Sequence, residues 1–201
     1  YSLACETVFP ADMRKKNCCY RAADALVRDF MGGVGARPGN SLFQQTGVCM
    51  CAADLLYPAP AADDEYLLFL KRQLVGWTSA LDADGCWPGV SSRVALERIG
   101  VMNRVAWMFP DLGNDTATRR AAGYYRRGVR VPADPLNFDE GYLCTLGRMY
   151  EVALQGNALP VDKPAVRRIA RFMYDYSLTL PVRGDAWYYC TSYVIHYIAE
   201  S

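Results

Sequence analysis

Apolar residues along this chain recur at spacings of three and four, with polar residues filling the intervals, which is the period of the α-helix. The two-residue alternation of a half-buried strand is not convincing anywhere, so helices with little sheet are expected. Breakers fall where helix ends belong. A first long helix is expected from about Ala11 to Met31, stopped by Gly32-Gly33 and followed by a loop through Gly35 and Pro38-Gly39. Ser41 reads as the N-cap of a helix through Tyr57, closed by Pro58 and Pro60. Asp63-Asp64-Glu65 then sets three carboxylates at the positive end of a helix carrying Leu67, Leu68, Leu70, Leu74 and Trp77.

After a loop from Asp82 to Gly89, Ser91 or Ser92 is expected to cap a helix to about Phe109, ended by Pro110. A shorter helix follows from about Thr116 to Arg127, then an irregular stretch to Asp139. Further helices are expected over Glu140 to Leu154, about Lys163 to Leu180 with Pro164 in its first turn, and Ala186 to Glu200. Alternate helices begin near Ser41, Ser91, Asp139 and Asp185, an interval of roughly 46 to 50 residues, the size of one helical hairpin. The expected fold is therefore all-α in one domain over residues 1–201: about eight helices as four antiparallel hairpins, in a bundle or an open arc.

Composition changes the picture in two places. Hydrophobic residues make up 52% and charged residues 21%, the balance of a packed globule, and the formal charge of +1 provides no broad field to attract nucleic acid. No run approaches the roughly 20 apolar residues that span a bilayer, so no membrane span is expected. The eight cysteines, Cys5, Cys18, Cys19, Cys49, Cys51, Cys86, Cys144 and Cys190, form no CxxC pair or other metal-site spacing. They read as a disulfide framework stapling the helices, with connectivity open, and hence as a secreted, extracellular protein. The start at Tyr1 fits removal of a signal segment, and Asn114-Asp115-Thr116 is an N-glycosylation sequon. The lone cysteine, CC pair and CxC order is similar to that of eight-cysteine plant lipid-transfer proteins. Those are about half as long and carry a second lone cysteine before the CC pair, so no lipid-binding function carries over.

The most unusual local sequence is Asp82-Ala83-Asp84-Gly85-Cys86-Trp87-Pro88-Gly89. It resembles the DxDGxW-type loops that join helices in α/α-toroid proteins, among them glycoside hydrolases, polysaccharide lyases and terpenoid cyclases. That resemblance covers about eight residues and the hairpin pattern. It implies a cleft lined by Asp82, Asp84, Asp139 and Glu140 as candidate catalytic carboxylates, with Trp87, Tyr142 and Trp187 as sugar-stacking platforms. Each carboxylate has a plainer role as well: Asp139 and Glu140 stand where an N-cap and a first-turn acid belong, and Asp82 and Asp84 suit a polar turn. An EF-hand is excluded because its first and last ligand positions would be Ala80 and Ser91. His196 has no nucleophile context, and no P-loop, GxGxxG or GxSxG motif occurs, so no cofactor and no metal is expected.

Fourteen tyrosines and four tryptophans accompany arginine clusters at Arg119-Arg120, Arg126-Arg127 and Arg167-Arg168 with Arg171. Such clusters read as solvated helix faces able to meet an anion or an acidic glycan. The leading expectation is a secreted, non-catalytic recognition or assembly protein that contacts a glycan or an extracellular protein through these faces. A carbohydrate-active enzyme of the α/α-hairpin type is the second expectation, and a self-assembling extracellular filament subunit the third.

Overall fold

The computed structural model describes residues 18–33, 41–56, 64–135, 142–154, 159–182 and 184–191. Regular structure among them is helical throughout: α1 (Cys18–Met31), α2 (Ser41–Leu56), α3 (Glu65–Ser79), α4 (Ser92–Met108), a 3-10 turn (Pro110–Leu112), α5 (Asp115–Gly128), α6 (Leu143–Leu154) and α7 (Lys163–Ser177). Residues 185–191 are helical too. None of the helices among the described residues is long and apolar enough to cross a membrane.

The helix starts show the local chemistry that sets them. The Asp64 carboxylate accepts the Tyr66 N–H at 2.8 Å ahead of α3, the Ser91 hydroxyl lies 3.4 Å from the Val94 N–H ahead of α4, and Asp162 accepts the Ala165 N–H at 3.0 Å ahead of α7. Each satisfies a first-turn donor that the helix leaves without an internal partner. Pro164 occupies the first turn of α7, where a missing N–H costs nothing.

The described chain divides into two compact units. In the first, α1 packs on α2 and α2 on α3. The end of α4, from Arg104, and the 3-10 turn belong to the same unit. Its core holds Val27, Val48, Leu70 and Trp77, and Phe30 meets Phe69 edge to face at 6.0 Å. Polar ties run between its helices as well: Arg104 pairs with Asp54 at 2.8 Å, and the Gln45 and Gln73 side chains are hydrogen-bonded.

The second unit begins with the 81–91 segment and the first part of α4 and continues with α5, α6, α7 and residues 184–191. Here α6 packs on α7, around a core that includes Leu96, Ile99, Leu146, Ile169 and Met173. The Asp162 N–H donates to the Ala153 carbonyl at 2.8 Å, which ties the start of α7 to the end of α6.

The disulfide framework expected from the cysteine count is not formed between described residues. Cys51, Cys86 and Cys144 are thiols. Cys49 and Cys190 are wholly buried, while Cys5 and the side chains of Cys18 and Cys19 lie outside the described residues. Burial pushes the Cys51 thiol up, and the Asp54 charge adds to the shift. Cys49 and Cys190 serve as small apolar core residues of the kind unoxidised cysteine commonly supplies, while Cys51, Cys86 and Cys144 are half-buried.

Candidate functional site

The Asp82–Gly89 loop is a turn whose conformation is fixed by its own polar groups. Asp82 Oδ1 accepts the N–H of Asp84 at 3.0 Å and that of Cys86 at 2.7 Å. The Asp82 N–H donates to the Cys86 carbonyl at 2.9 Å, and the Gly85 N–H to the Asp82 carbonyl at 3.2 Å. This is the Asx arrangement that favours aspartate in turns, and it commits the Asp82 carboxylate to main-chain donors. Gly85 has φ +91°, and a Cβ there would come within 2.6 Å of the Arg120 carbonyl oxygen, so only glycine lets the turn lie against α5.

Trp87 closes that contact. Its indole is 1% exposed, stacks on Tyr125 at 5.8 Å with an interplanar angle of 25°, and lies under the Arg98 guanidinium at 5.5 Å. The Trp87 backbone N–H donates to the Tyr125 hydroxyl at 2.9 Å. Trp87, expected as a sugar platform, is therefore a core residue: both faces of its ring are covered, and no ligand reaches it in this conformation. The turn and α5 form one rigid piece through the Trp87-Tyr125 contact.

The opposite face of α5 is free of such commitments. Its buried stripe is Ala117, Thr118, Ala121, Ala122 and Tyr125, and its exposed stripe carries Thr116, Arg119, Arg120 and Arg127, with Tyr124 at one edge. Arg119 and Arg120 lie two turns from Arg127, so the three guanidinium groups share one side of the helix. None of them forms an ion pair among the described residues, and Arg130 extends the same charge past the helix end. Arg126, at the inner edge, instead donates to the Val152 carbonyl at 2.9 Å. Burial lowers its pKa, and the nearby Asp162 opposes the shift. One helix thus holds arginines of two kinds, one serving the fold and three in water.

Between the turn and α5 sits the Cys86 thiol, 3.6 Å from the Tyr125 hydroxyl. Tyr124 stands edge to face with Tyr125 at 5.0 Å. Burial pushes the Tyr125 phenol up to about 12, the Trp87 N–H pulling against it and Cys86 adding to it. The Tyr124 phenol is raised first by its hydrogen bond to Cys86, then by the charges of Cys86, Asp82 and Asp84. Both phenols therefore remain neutral donors at physiological pH, on a border made acidic by Asp82 and Asp84.

The other expected residues are dispersed. Tyr142 is half-buried just ahead of α6, its phenol raised by burial against a hydrogen bond with the Arg130 backbone. Trp187 is half-buried and edge to face with Tyr188 at 5.2 Å, and Tyr188 is 54% exposed. Asn114 is exposed immediately before α5. Asp139 and Glu140 lie outside the described residues. No group of three or more metal-ligating side chains comes together among the described residues.

Sequence reasoning missed a charge network between α4 and α6 centred on the buried Glu97. Glu97, 8% exposed, takes Arg148 at 3.2 Å and Arg93 at 3.6 Å, and Arg148 also holds Glu151 at 2.6 Å. The spacings of Arg93 with Glu97 and of Arg148 with Glu151 were visible as helical pairs. The link between the helices depends on which faces meet, which those spacings leave open. Its two acids are bridged by arginine, an arrangement that fixes register. Compared with known proteins, the chain matches no family model, no curated protein and no solved structure.

Proposed function

We propose that this is a secreted, non-catalytic recognition protein that meets a glycan or protein surface through the arginine and tyrosine face of α5. The observation that carries the reading is the division of α5 into two faces. Its inner side is locked by Tyr125 and Trp87, and its outer side presents Arg119, Arg120 and Arg127 to solvent. A contact surface of this kind holds its backbone in place, so binding orders only side chains. Arginine and tyrosine are also the residue types that dominate recognition surfaces.

In the same reading the helices pair as antiparallel hairpins, Asn114 carries an N-glycan, and oxidation joins some of the cysteines outside the cytosol. A second reading, self-assembly, is favoured by the exposed apolar residues Leu178 and Val182 beyond α7, 70% and 71% exposed.

The test is to apply the purified protein to a panel of glycans and extracellular proteins and to measure both retention and cleavage. Retention without new reducing ends or unsaturated products, and weakened by replacing Arg119, Arg120 and Arg127 with glutamine, is the expected result. Cleavage that disappears in Asp84→Asn overturns the non-catalytic reading in favour of a carbohydrate-active enzyme.

A further inference from the structure

The structure assigns the outer face of α5 a ligand class: we infer that Arg119, Arg120 and Arg127, continued by Arg130, bind a sulfated polysaccharide chain. This rests on the proposed recognition function and narrows it.

Four features point to this ligand. The cations on the face are all arginine, whose five N–H donors suit oxyanions, and the one carboxylate of α5, Asp115, lies in its first turn. Arg119 and Arg120 stand about 10–12 Å along the axis from Arg127 at 1.5 Å per residue. That is close to the length of two linked pyranose rings, so sulfate groups on successive disaccharides meet both ends of the face. The residue between them is Gly123, where a Cβ would touch nothing within 4 Å. The helix therefore leaves a shallow gap between its guanidinium groups for a sugar ring, with the Tyr124 ring at its margin. Finally, no ion pair among the described residues holds these side chains in advance. A planar carboxylate demands in-plane alignment of the fork, which costs freely moving side chains entropy, whereas a tetrahedral sulfate accepts donors from several directions.

A formal charge of only +1 for the whole chain provides no extended field for a nucleic acid, so the arginine face engages a short stretch of sulfated chain.

The test compares immobilised heparin, heparin stripped of sulfate but retaining its carboxylates, neutral dextran and a single-stranded oligonucleotide. The protein is expected to bind heparin alone among these, releasing as salt rises. R119Q/R120Q/R127Q should weaken binding at least about tenfold, while R167Q/R168Q, changing exposed arginines of α7, leaves it unaltered. Independently of any variant, bound heparin should protect Arg119, Arg120 and Arg127 of the native protein from phenylglyoxal. Equal retention on desulfated heparin or the oligonucleotide, equal loss in the α7 variant, or unprotected arginines would each overturn the inference. If α5 variants lose binding to another glycan or protein while heparin is ignored, the sulfated ligand falls and the recognition function stands. Cleavage without α5-dependent retention removes both.

Discussion

Helices α1 and α5 are both amphipathic and both carry arginine on their polar side, yet the two units use that side in opposite ways. On α1, Arg28 is drawn into a clasp with α3: it reaches Asp24 at 3.2 Å and Glu65 at 2.8 Å, lies over the Tyr66 ring at 5.4 Å, and Tyr66 donates its phenol proton to Asp24. On α5 the polar side touches water, and the helix is held from behind by Tyr125 and Trp87. Residue type alone does not decide which arginine is structural. What decides is whether a carboxylate on a neighbouring helix arrives within reach, and Glu65 does so for Arg28 across 37 residues of sequence. An arginine face left without such a partner, on a helix anchored elsewhere, is available for a ligand.

The strongest way to break the comparison is to remove what anchors α5. Trp87→Ala deletes a fully enclosed indole and leaves a cavity beside Tyr125, so a loss of about 3–5 kcal/mol in unfolding free energy is expected from urea denaturation. Hydrogen exchange should rise first along α5 and the Asp82–Gly89 turn. If the loss instead stays below about 1 kcal/mol, α5 is not held from its inner side and the contrast with α1 disappears.

A smaller effect is expected on the α1 side. Tyr66→Phe removes the donor to Asp24 at nearly unchanged shape, costing about 1–2 kcal/mol. Its pH dependence identifies the interaction. The hydrogen bond from Tyr66 is the main reason the Asp24 carboxyl lies below its ordinary value of 3.8, with burial opposing and Arg28 assisting. That contribution is present above 3.8 and is lost as pH falls through the depressed folded value. Burial first, and Asp24 second, raise the Tyr66 phenol well above its ordinary 10.0. That contribution is complete below 10.0 and is lost as pH rises beyond it. The stability difference between wild type and Tyr66→Phe should therefore be widest near neutrality and shrink at both extremes. A difference independent of pH would show that Tyr66 acts through its ring alone.

What the sequence revealed follows the same division between local and distant causes. Asp64, Ser91 and Pro164 act on the turn at which they stand, so the starts of α3, α4 and α7 were readable from single residues, whereas the Asp162 cap of α7 was not singled out. Asp82 also acts on its own next four residues, and its role as a turn former was visible. Trp87 was not readable in this way. Set among aspartate, glycine and proline it looks exposed, and only Tyr125, 38 residues further on, turns it into core. The cysteines are legible only in number, which suggests covalent pairing; whether two sulfur atoms meet is a property of helix packing, and no two do so among the described residues. The arginine clusters were legible in part: Arg119, Arg120 and Arg127 are exposed as expected, but Arg126, read with Arg127 as solvated, is half-buried and donates to the Val152 carbonyl.

The smallest expected effect sharpens the contrast from the free side. Gly123 sits mid-helix on the outer half of α5, and a Cβ added there meets no heavy atom within 4 Å. Glycine in such a position loses more backbone freedom on folding than alanine does, so Gly123→Ala should stabilise the protein by about 0.5–1 kcal/mol. Heparin affinity should fall modestly, because the added methyl group enters the gap that receives a sugar ring. Gly85→Ala is the useful partner in this measurement, since the same methyl there meets the Arg120 carbonyl at 2.6 Å on a backbone with φ +91°. Opposite signs for the two substitutions in thermal unfolding are expected if one side of α5 is packed against the turn and the other faces water. Destabilisation by Gly123→Ala would mean that the outer face is covered, and the arginines would then no longer be free to take a ligand.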